Sequence, residues 1–246
     1  MLLSSKTVLN IGQWNVRTMY EAGRAGVIAR EMTNYGLAIL GVSETHWTLS
    51  GETHLQDGIT VLYSGRTEEN AVHSEGVGFF LTKKSYRSLI EWSPVSSRII
   101  RAVFRTSNKR INLVIIQCYA PTNDAEEDVK EEYYQLLQGE VNKVRNRDMV
   151  IVMGDFNAKV GSSNSGYEAV MGRHGVGTMN ENGERFANCC LANDLVIGGT
   201  VFPHRLTDSC PWHDVKLPHT ALYVPLRGKA RPTAYNLWLR QQGHAA

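Results

Sequence analysis

The chain has 246 residues, a formal net charge of +2 at neutral pH and a sequence pI near 8.3. Its hydrophobic fraction of 42% and charged fraction of 20% are those of a protein that folds around a core, which excludes a disordered or collagen-like chain. This length predicts one α/β domain. The mildly basic charge permits a nucleic acid or phosphate partner without requiring one.

Cysteine spacing and apolar windows exclude further classes. The four cysteines, Cys118, Cys189, Cys190 and Cys210, form no CxxC motif and no cysteine and histidine cluster, so neither a disulfide framework nor a zinc site is predicted. The first ten residues, MLLSSKTVLN, lack the apolar region of a signal peptide, and no window approaches the ~18 apolar residues of a membrane span. We therefore expect a nuclear or cytoplasmic protein without membrane attachment.

Short apolar runs of strand length follow one another along the chain, separated by turn residues. They are TVLNIGQWNV, LAILGVSE, ITVLYSG, GVGFFLT, SRIIRAVFR, INLVIIQCYAP, DMVIVMGDFN and LVIGGTVF. Helices are predicted around residues 24–34, 126–147 and 181–193, the second from apolar residues that recur at three- and four-residue steps. Strands alternating with helices predict an α/β architecture of packed sheets flanked by helices.

The composition changes near residue 204. Five of the seven prolines lie after residue 202, at positions 203, 211, 218, 225 and 232. Proline removes a backbone donor and disfavours helix in the residue before it, so irregular structure is expected there. We therefore predict a domain over residues 1–204 and a divergent Pro-rich tail over residues 205–246.

Polar side chains stand at the carboxyl ends of four predicted strands: Asn15, Glu44, Tyr119 with Asn123, and Asp155 with Asn157. Ligand and catalytic groups of α/β sheets collect at such ends, so we expect these side chains to converge. Two carboxylates among amide groups suit a hard cation such as Mg²⁺ or Mn²⁺, which also binds phosphate. Asp155, held by Asn157, would orient or deprotonate an attacking water. The set predicts hydrolysis of a phosphomonoester or phosphodiester.

Each of these residues alone also has a simpler interpretation. Glu44 is of the kind that caps a helix or loop, Tyr119 of the kind that packs at a turn, and Gly154-Asp155 is typical of a turn. Asn182-Gly183 is likewise interpreted as a turn. The functional interpretation depends on the joint pattern.

Four stretches carry a resemblance to a known superfamily: QWNVRTM (13–19), GVSETHW (41–47), CYAPTND (118–124) and MGDFNAKVG (153–161). In this order they resemble the endonuclease/exonuclease/phosphatase superfamily, which implies a deoxyribonuclease-I-like sandwich of two packed β-sheets flanked by helices. Residues 180–204, NENGERFANCCLANDLVIGGTVFPH, resemble the apurinic-endonuclease-like domains of non-LTR retrotransposons and the related craniofacial-development-protein-2-like host proteins.

The resemblance implies a role for each candidate residue. Glu44 and Asn15 would contact the metal, Tyr119, Asp155 and Asn157 would be catalytic, and Asn123 and Arg17 would bind phosphate. It also implies Mg²⁺ as cofactor, with Mn²⁺ as an alternative, and DNA as partner; no obligate protein partner is identified. Several family members have an acidic or small residue where this chain has Arg17.

The chain departs from the family pattern at its end. The closing Ser-Asp-His of the family is missing, and no Asp-His dipeptide occurs in the 246 residues. This departure predicts a fold truncated at its C-terminal end and an incomplete active site. It leaves open an active DNA endonuclease of retrotransposon type, a non-catalytic binding module derived from a nuclease, and a phosphatase of the same superfamily.

Overall fold

The computed structural model describes residues 9–68 and 71–201, which form two β-sheets with helices on their outer faces. The strands are β1 (Ile11–Asn15), β2 (Ile39–Ser43), β3 (Ser50–His54), β4 (Thr60–Ser64), β5 (Val77–Leu81), β6 (Leu89–Ser96), β7 (Ile99–Arg105), β8 (Asn112–Tyr119) and β9 (Met149–Asp155). The helices are α1 (Arg24–Asn34), α2 (Lys83–Tyr86), α3 (Glu127–Asn142) and α4 (Glu181–Ala192), with a 3-10 turn at Gly198–Thr200. None of these helices is long and apolar enough to cross a membrane.

Both sheets are mixed. The five-stranded sheet has the order β1-β2-β5-β4-β3 and the four-stranded sheet the order β6-β7-β8-β9. The pairs β1–β2 and β8–β9 are parallel, and every other pair is antiparallel. Parallel neighbours need a crossover, and α1 and α3 provide the two crossovers. Each parallel pair therefore presents two carboxyl ends at one edge of its sheet.

Three apolar clusters fill the space between these layers. The inter-sheet cluster combines residues of both sheets, such as Ile39, Phe79 and Ile151. A second cluster joins α1 to the outer face of the five-stranded sheet, and a third joins α3 and α4 to the outer face of the four-stranded sheet. The predicted α/β sandwich of two packed sheets flanked by helices is confirmed.

Most element predictions are correct, and the errors have local causes. The helix over 24–34 is confirmed, whereas α3 ends at Asn142 because the chain turns there, with the Val144 amide donating to the Val141 carbonyl at 3.0 Å. Strands β3 and β6 were not predicted. Both are edge strands whose largely solvated residues lack an apolar run, and β6 also contains Pro94.

The predicted strand LVIGGTVF is wrong over its described part. Leu195 and Ile197 are buried, but only Ile197 forms an isolated bridge, with Met171, before the two glycines enter the 3-10 turn. An apolar run can thus be buried by packing without a strand partner. The end of the predicted domain, residues 202–204, and the predicted tail, residues 205–246, lie outside the described residues, so that domain boundary stays a prediction.

Candidate active site

The inter-sheet core becomes polar toward the carboxyl ends of β1, β2, β8 and β9. Gln13, Ser43 and Gln117 are all buried there. The Ser43 hydroxyl donates to the Cys118 carbonyl at 3.1 Å and accepts from the Gln117 side-chain amide at 3.0 Å. These hydrogen bonds connect the two sheets through polar groups, so they fix the position of one sheet relative to the other just beneath the site.

Three of the predicted residues meet above this polar layer. The Asn15 amide nitrogen donates to Glu44 Oε1 at 2.6 Å and to Asp155 Oδ2 at 2.9 Å. Asn15 ends β1 and Glu44 directly follows β2 of the five-stranded sheet, whereas Asp155 ends β9 of the four-stranded sheet, so the site straddles the junction of the sheets. Two carboxylates that share one amide donor form a strongly negative site, which favours a cation or a hydrogen-bond donor.

Tyr119 lies opposite Asp155, because the parallel register of β8 and β9 pairs these two residues. Burial raises the pKa of the Tyr119 phenol well above its ordinary value, and the charge of Glu44 with a hydrogen bond to it raises the pKa further. The phenol is therefore neutral at physiological pH. It can donate a hydrogen bond to Glu44 or to a phosphate oxygen.

Asn157 fixes the Asp155 carboxylate from the loop that follows β9. Its backbone amide donates to Asp155 Oδ1 at 3.1 Å, and its side chain donates to the Ala120 carbonyl at 2.8 Å. The backbone of Asn157 is left-handed, with φ of 46°, and so is that of Glu44, with φ of 58°. Asparagine tolerates this region, whereas for glutamate it is strained, and such strain clusters at functional sites.

Arg17 and Asn123 lie on the loops around these groups. The Arg17 side chain is exposed, and its backbone amide donates to Asn15 Oδ1 at 2.9 Å. Asn123 Oδ1 accepts from the Asn182 backbone amide at 3.3 Å, so one end of its side chain already holds the loop. The predicted phosphate-binding roles of Arg17 and Asn123 remain predictions.

Asn182 is a functional candidate whose role the sequence did not reveal. It lies within α4, and the helix is capped by Asn180, whose Oδ1 accepts from the Gly183 amide at 2.8 Å. The side-chain nitrogen of Asn182, which is 1% exposed, donates to the Pro121 and Asn157 carbonyls at 2.9 and 3.2 Å. Asn182 therefore has a structural role in tying the loops after β8 and β9 together, although Asn182-Gly183 lies in the first turn of α4 and not in a loop turn.

Glu75 and Arg98 were also missed. The Arg98 guanidinium lies 5.2 Å from the Tyr119 ring centroid, donates to the Tyr119 carbonyl at 3.3 Å and pairs with Glu75 at 2.8 Å. Both residues precede strands, β5 and β7, that run antiparallel to β2 and β8. The amino ends of antiparallel strands reach the same edge as the carboxyl ends of their neighbours, so both residues can be found once strand direction is known.

The donor set fits a hard divalent cation. The described residues contain no cluster of three His, Cys, Asp or Glu side chains. Mg²⁺ commonly uses one or two protein carboxylates, several waters and substrate phosphates, so two convergent carboxylates suffice. Glu44 and Asp155 would hold such an ion, whereas Asn15 Oδ1 accepts from the Arg17 amide, so the metal contact expected of Asn15 remains a prediction.

The chain is similar in sequence to two curated relatives. The chain is 36% identical over 192 residues to craniofacial development protein 2 of Bos taurus, a match that covers 78% of this chain and 31% of that protein. It is 35% identical over the same length to craniofacial development protein 2 of Tragulus javanicus, covering 78% of this chain and 32% of that protein. The chain thus spans about a third of the length of these curated relatives.

Among solved structures, the catalytic domain of APE2 from Xenopus laevis matches with a TM-score of 0.51 at 16% identity, covering 74% of this chain and 65% of that domain. This similarity concerns the fold. No protein-family model matches the chain.

Proposed function

Because this chain is a homologue of craniofacial development protein 2 with the fold of the endonuclease/exonuclease/phosphatase superfamily, we propose that it is a Mg²⁺-dependent DNA endonuclease domain of retrotransposon type that hydrolyses phosphodiester bonds. The observation that carries the proposal is the Asn15 amide bonded to both Glu44 and Asp155. If the substrate is DNA, the domain would act in the nucleus or in another compartment that contains DNA.

Each residue has a defined part in this reaction. When bound at Glu44, the ion would neutralise phosphate charge, with Mn²⁺ as a substitute for Mg²⁺. Asp155, whose carboxylate is fixed by the Asn157 amide, orients and deprotonates the attacking water. The neutral Tyr119 phenol donates a hydrogen bond to the phosphate, and its position is held by Arg98. Arg17 and Asn123 bind the flanking phosphates.

A second candidate function is DNA binding without cleavage. It is favoured by one observation, the absence of any Asp-His dipeptide from the 246 residues. A site that lacks the closing pair of the family has fewer charge-stabilising groups, and each such group is typically worth ~10²-fold to 10³-fold in rate. The fold alone would also accommodate a phosphatase, which the test below separates by its substrate.

The test is nicking of supercoiled plasmid with Mg²⁺ and then Mn²⁺, comparing the unaltered protein with Asp155→Ala. We expect metal-dependent nicking that Asp155→Ala abolishes, while Asp57→Ala, a change at an exposed carboxylate in the turn between β3 and β4, retains it. If the unaltered and Asp155→Ala proteins are folded and equally inert, cleavage is refuted and binding is favoured. Release of phosphate from a small phosphomonoester without nicking would instead favour a phosphatase.

A further inference from the structure

Two exposed aromatic rings meet on the surface beside the candidate active site. The ring centroids of Tyr20 and His73 are 4.6 Å apart, and their planes make an angle of 64°. Tyr20 remains 67% exposed despite this contact, and His73 is exposed as well. A tyrosine ring normally contributes to stability by being buried, so an exposed ring is available for contact with a ligand.

The loops that carry these rings are fixed by hydrogen bonds. The Tyr20 backbone amide donates to Thr18 Oγ1 at 3.1 Å, and His73 Nδ1 lies 3.0 Å from the His46 carbonyl. The residue before Tyr20, Met19, is buried, and its carbonyl accepts from the Trp47 indole at 2.9 Å. Because the rings are held before any ligand arrives, little conformational entropy is lost when one binds.

The same loops contain the proposed metal and phosphate residues. The His46 and Thr45 amides, next in the chain after Glu44, donate to the Glu75 and Gly76 carbonyls at 2.8 and 3.1 Å. The Met19 amide donates to the Thr45 carbonyl at 2.8 Å. Three loops, residues 17–20, 44–47 and 73–76, are therefore joined into one rim beside the two carboxylates.

We propose that Tyr20, contacted edge-to-face by His73, offers a stacking platform for a nucleobase of the bound DNA beside Glu44 and Asp155. The platform rests on the proposed function in that its ligand is DNA. Every base offers a flat π-face, so such a platform binds bases with little dependence on sequence. Arg17, exposed between Asn15 and Tyr20 in the chain, supplies a cation for the backbone phosphate next to that base.

The test is DNA binding under conditions that prevent cleavage. Oligonucleotides carrying 2-aminopurine at successive positions, single-stranded and duplex, are titrated with the protein in EDTA while fluorescence and anisotropy are recorded. We expect quenching at one or two positions. Tyr20→Ala should lose this quenching and bind roughly 5-fold to 100-fold more weakly, the usual effect of removing one stacking ring.

Two further variants separate stacking from a general effect on the surface. Tyr20→Trp preserves a flat ring and should keep both quenching and affinity. Leu191→Ala, at a 44% exposed position on α4, should bind like the unaltered protein. The platform is overturned if Tyr20→Ala binds as tightly as the unaltered protein, if Tyr20→Trp loses as much affinity as Tyr20→Ala, or if no DNA binding is detected.

The plasmid assay separates failure of this proposal from failure of the proposed function. Quenching that depends on Tyr20 in a protein that never nicks plasmid would support the platform and refute the endonuclease. Metal-dependent nicking that Tyr20→Ala leaves unchanged, together with unchanged DNA affinity, would support the endonuclease and refute the platform.

Discussion

The strands β1, β2, β8 and β9 have an apolar end and a polar end, and the two ends contribute differently to the protein. Their amino-terminal ends carry Ile11, Ile39, Leu113 and Met149, all buried. Their carboxyl ends carry or lead to Asn15, Glu44, Tyr119 and Asp155, which crowd two carboxylates around one amide. The apolar end can be optimised for packing alone. At the polar end, two carboxylates lie close together and the backbone of Glu44 is left-handed. Both features cost stability, as expected at a functional site.

The largest effect on stability is expected at the apolar end. Phe104, paired with Leu113 and fully buried between the sheets, should cost about 3–5 kcal/mol of unfolding free energy when changed to alanine, because a cavity replaces the ring. Urea unfolding followed by tryptophan fluorescence measures this cost. Phe104→Leu, which keeps much of the volume, should lose far less. Equal losses in the two variants would show that the contribution of Phe104 to the unfolding free energy does not depend on packing volume.

At the polar end, a substitution should reduce activity strongly and change stability little. Glu44→Gln keeps side-chain length and an acceptor for Asn15 while removing the repulsion with Asp155, so the unfolding free energy should change by less than about 1 kcal/mol or rise. Plasmid nicking should fall at least about a hundredfold, because the ion loses a charged ligand. Glu131→Gln on the exposed face of α3 should change neither quantity. If Glu44→Gln lost as much stability as Phe104→Ala, the polar end would contribute to stability as strongly as the apolar end, which contradicts the comparison.

The smallest effect is expected from Tyr119→Phe, as a change in how the free energy of unfolding depends on pH. The folded pKa of Tyr119 is raised above the unfolded value of about 10, so the stability that the phenol adds is complete below pH 10 and is lost as pH rises toward the folded pKa. The stability difference between the two proteins should thus stay constant from about pH 6 to 9 and shrink above about pH 10. Urea unfolding across this range measures it.

The cause of the Tyr119 shift can be checked by absorbance at 295 nm. Subtracting the titration of Tyr119→Phe from that of the unaltered protein isolates this one phenol. In the Glu44→Gln background the isolated transition should move to lower pH, because the charge of Glu44 contributes to the raised pKa. If the transition does not move, Glu44 does not contribute, and burial together with the charge of Asp155 accounts for the raised pKa.

Much of the site could be predicted from the sequence because it follows one rule of parallel strands. Asn15, Glu44 and Asp155 were found by looking for polar groups at carboxyl ends of apolar runs, and these three do meet. Glu75 and Arg98 escaped because they stand at amino ends, and only strand direction reveals that these ends share the same edge. Direction is set by pairing between distant segments, which local periodicity does not encode.

The fold was predictable where burial is two-sided or periodic. Strands β2 and β5 are buried throughout, and α3 buries Tyr133 and Leu137 one turn apart, so these elements could be recognised from apolar runs and helical periodicity. Strands β3 and β6 depend on hydrogen bonds to one neighbour each, which leaves their composition free. The linking role of Asn182 depends on the start of α4 meeting the loops after β8 and β9, and no spacing in the sequence indicates it.

The pairing of β1 with β2 and of β8 with β9 makes the site divisible into two halves. One strand-helix-strand unit supplies Asn15 and Glu44, and the other supplies Tyr119 and Asp155. The hydrogen bond from Asn15 to Asp155 spans 140 positions of the chain, so it exists only after the halves have docked. A chain cut between the sheets would divide these four residues between two fragments and leave a complete site in neither. Activity recovered on mixing the fragments would then report directly on docking.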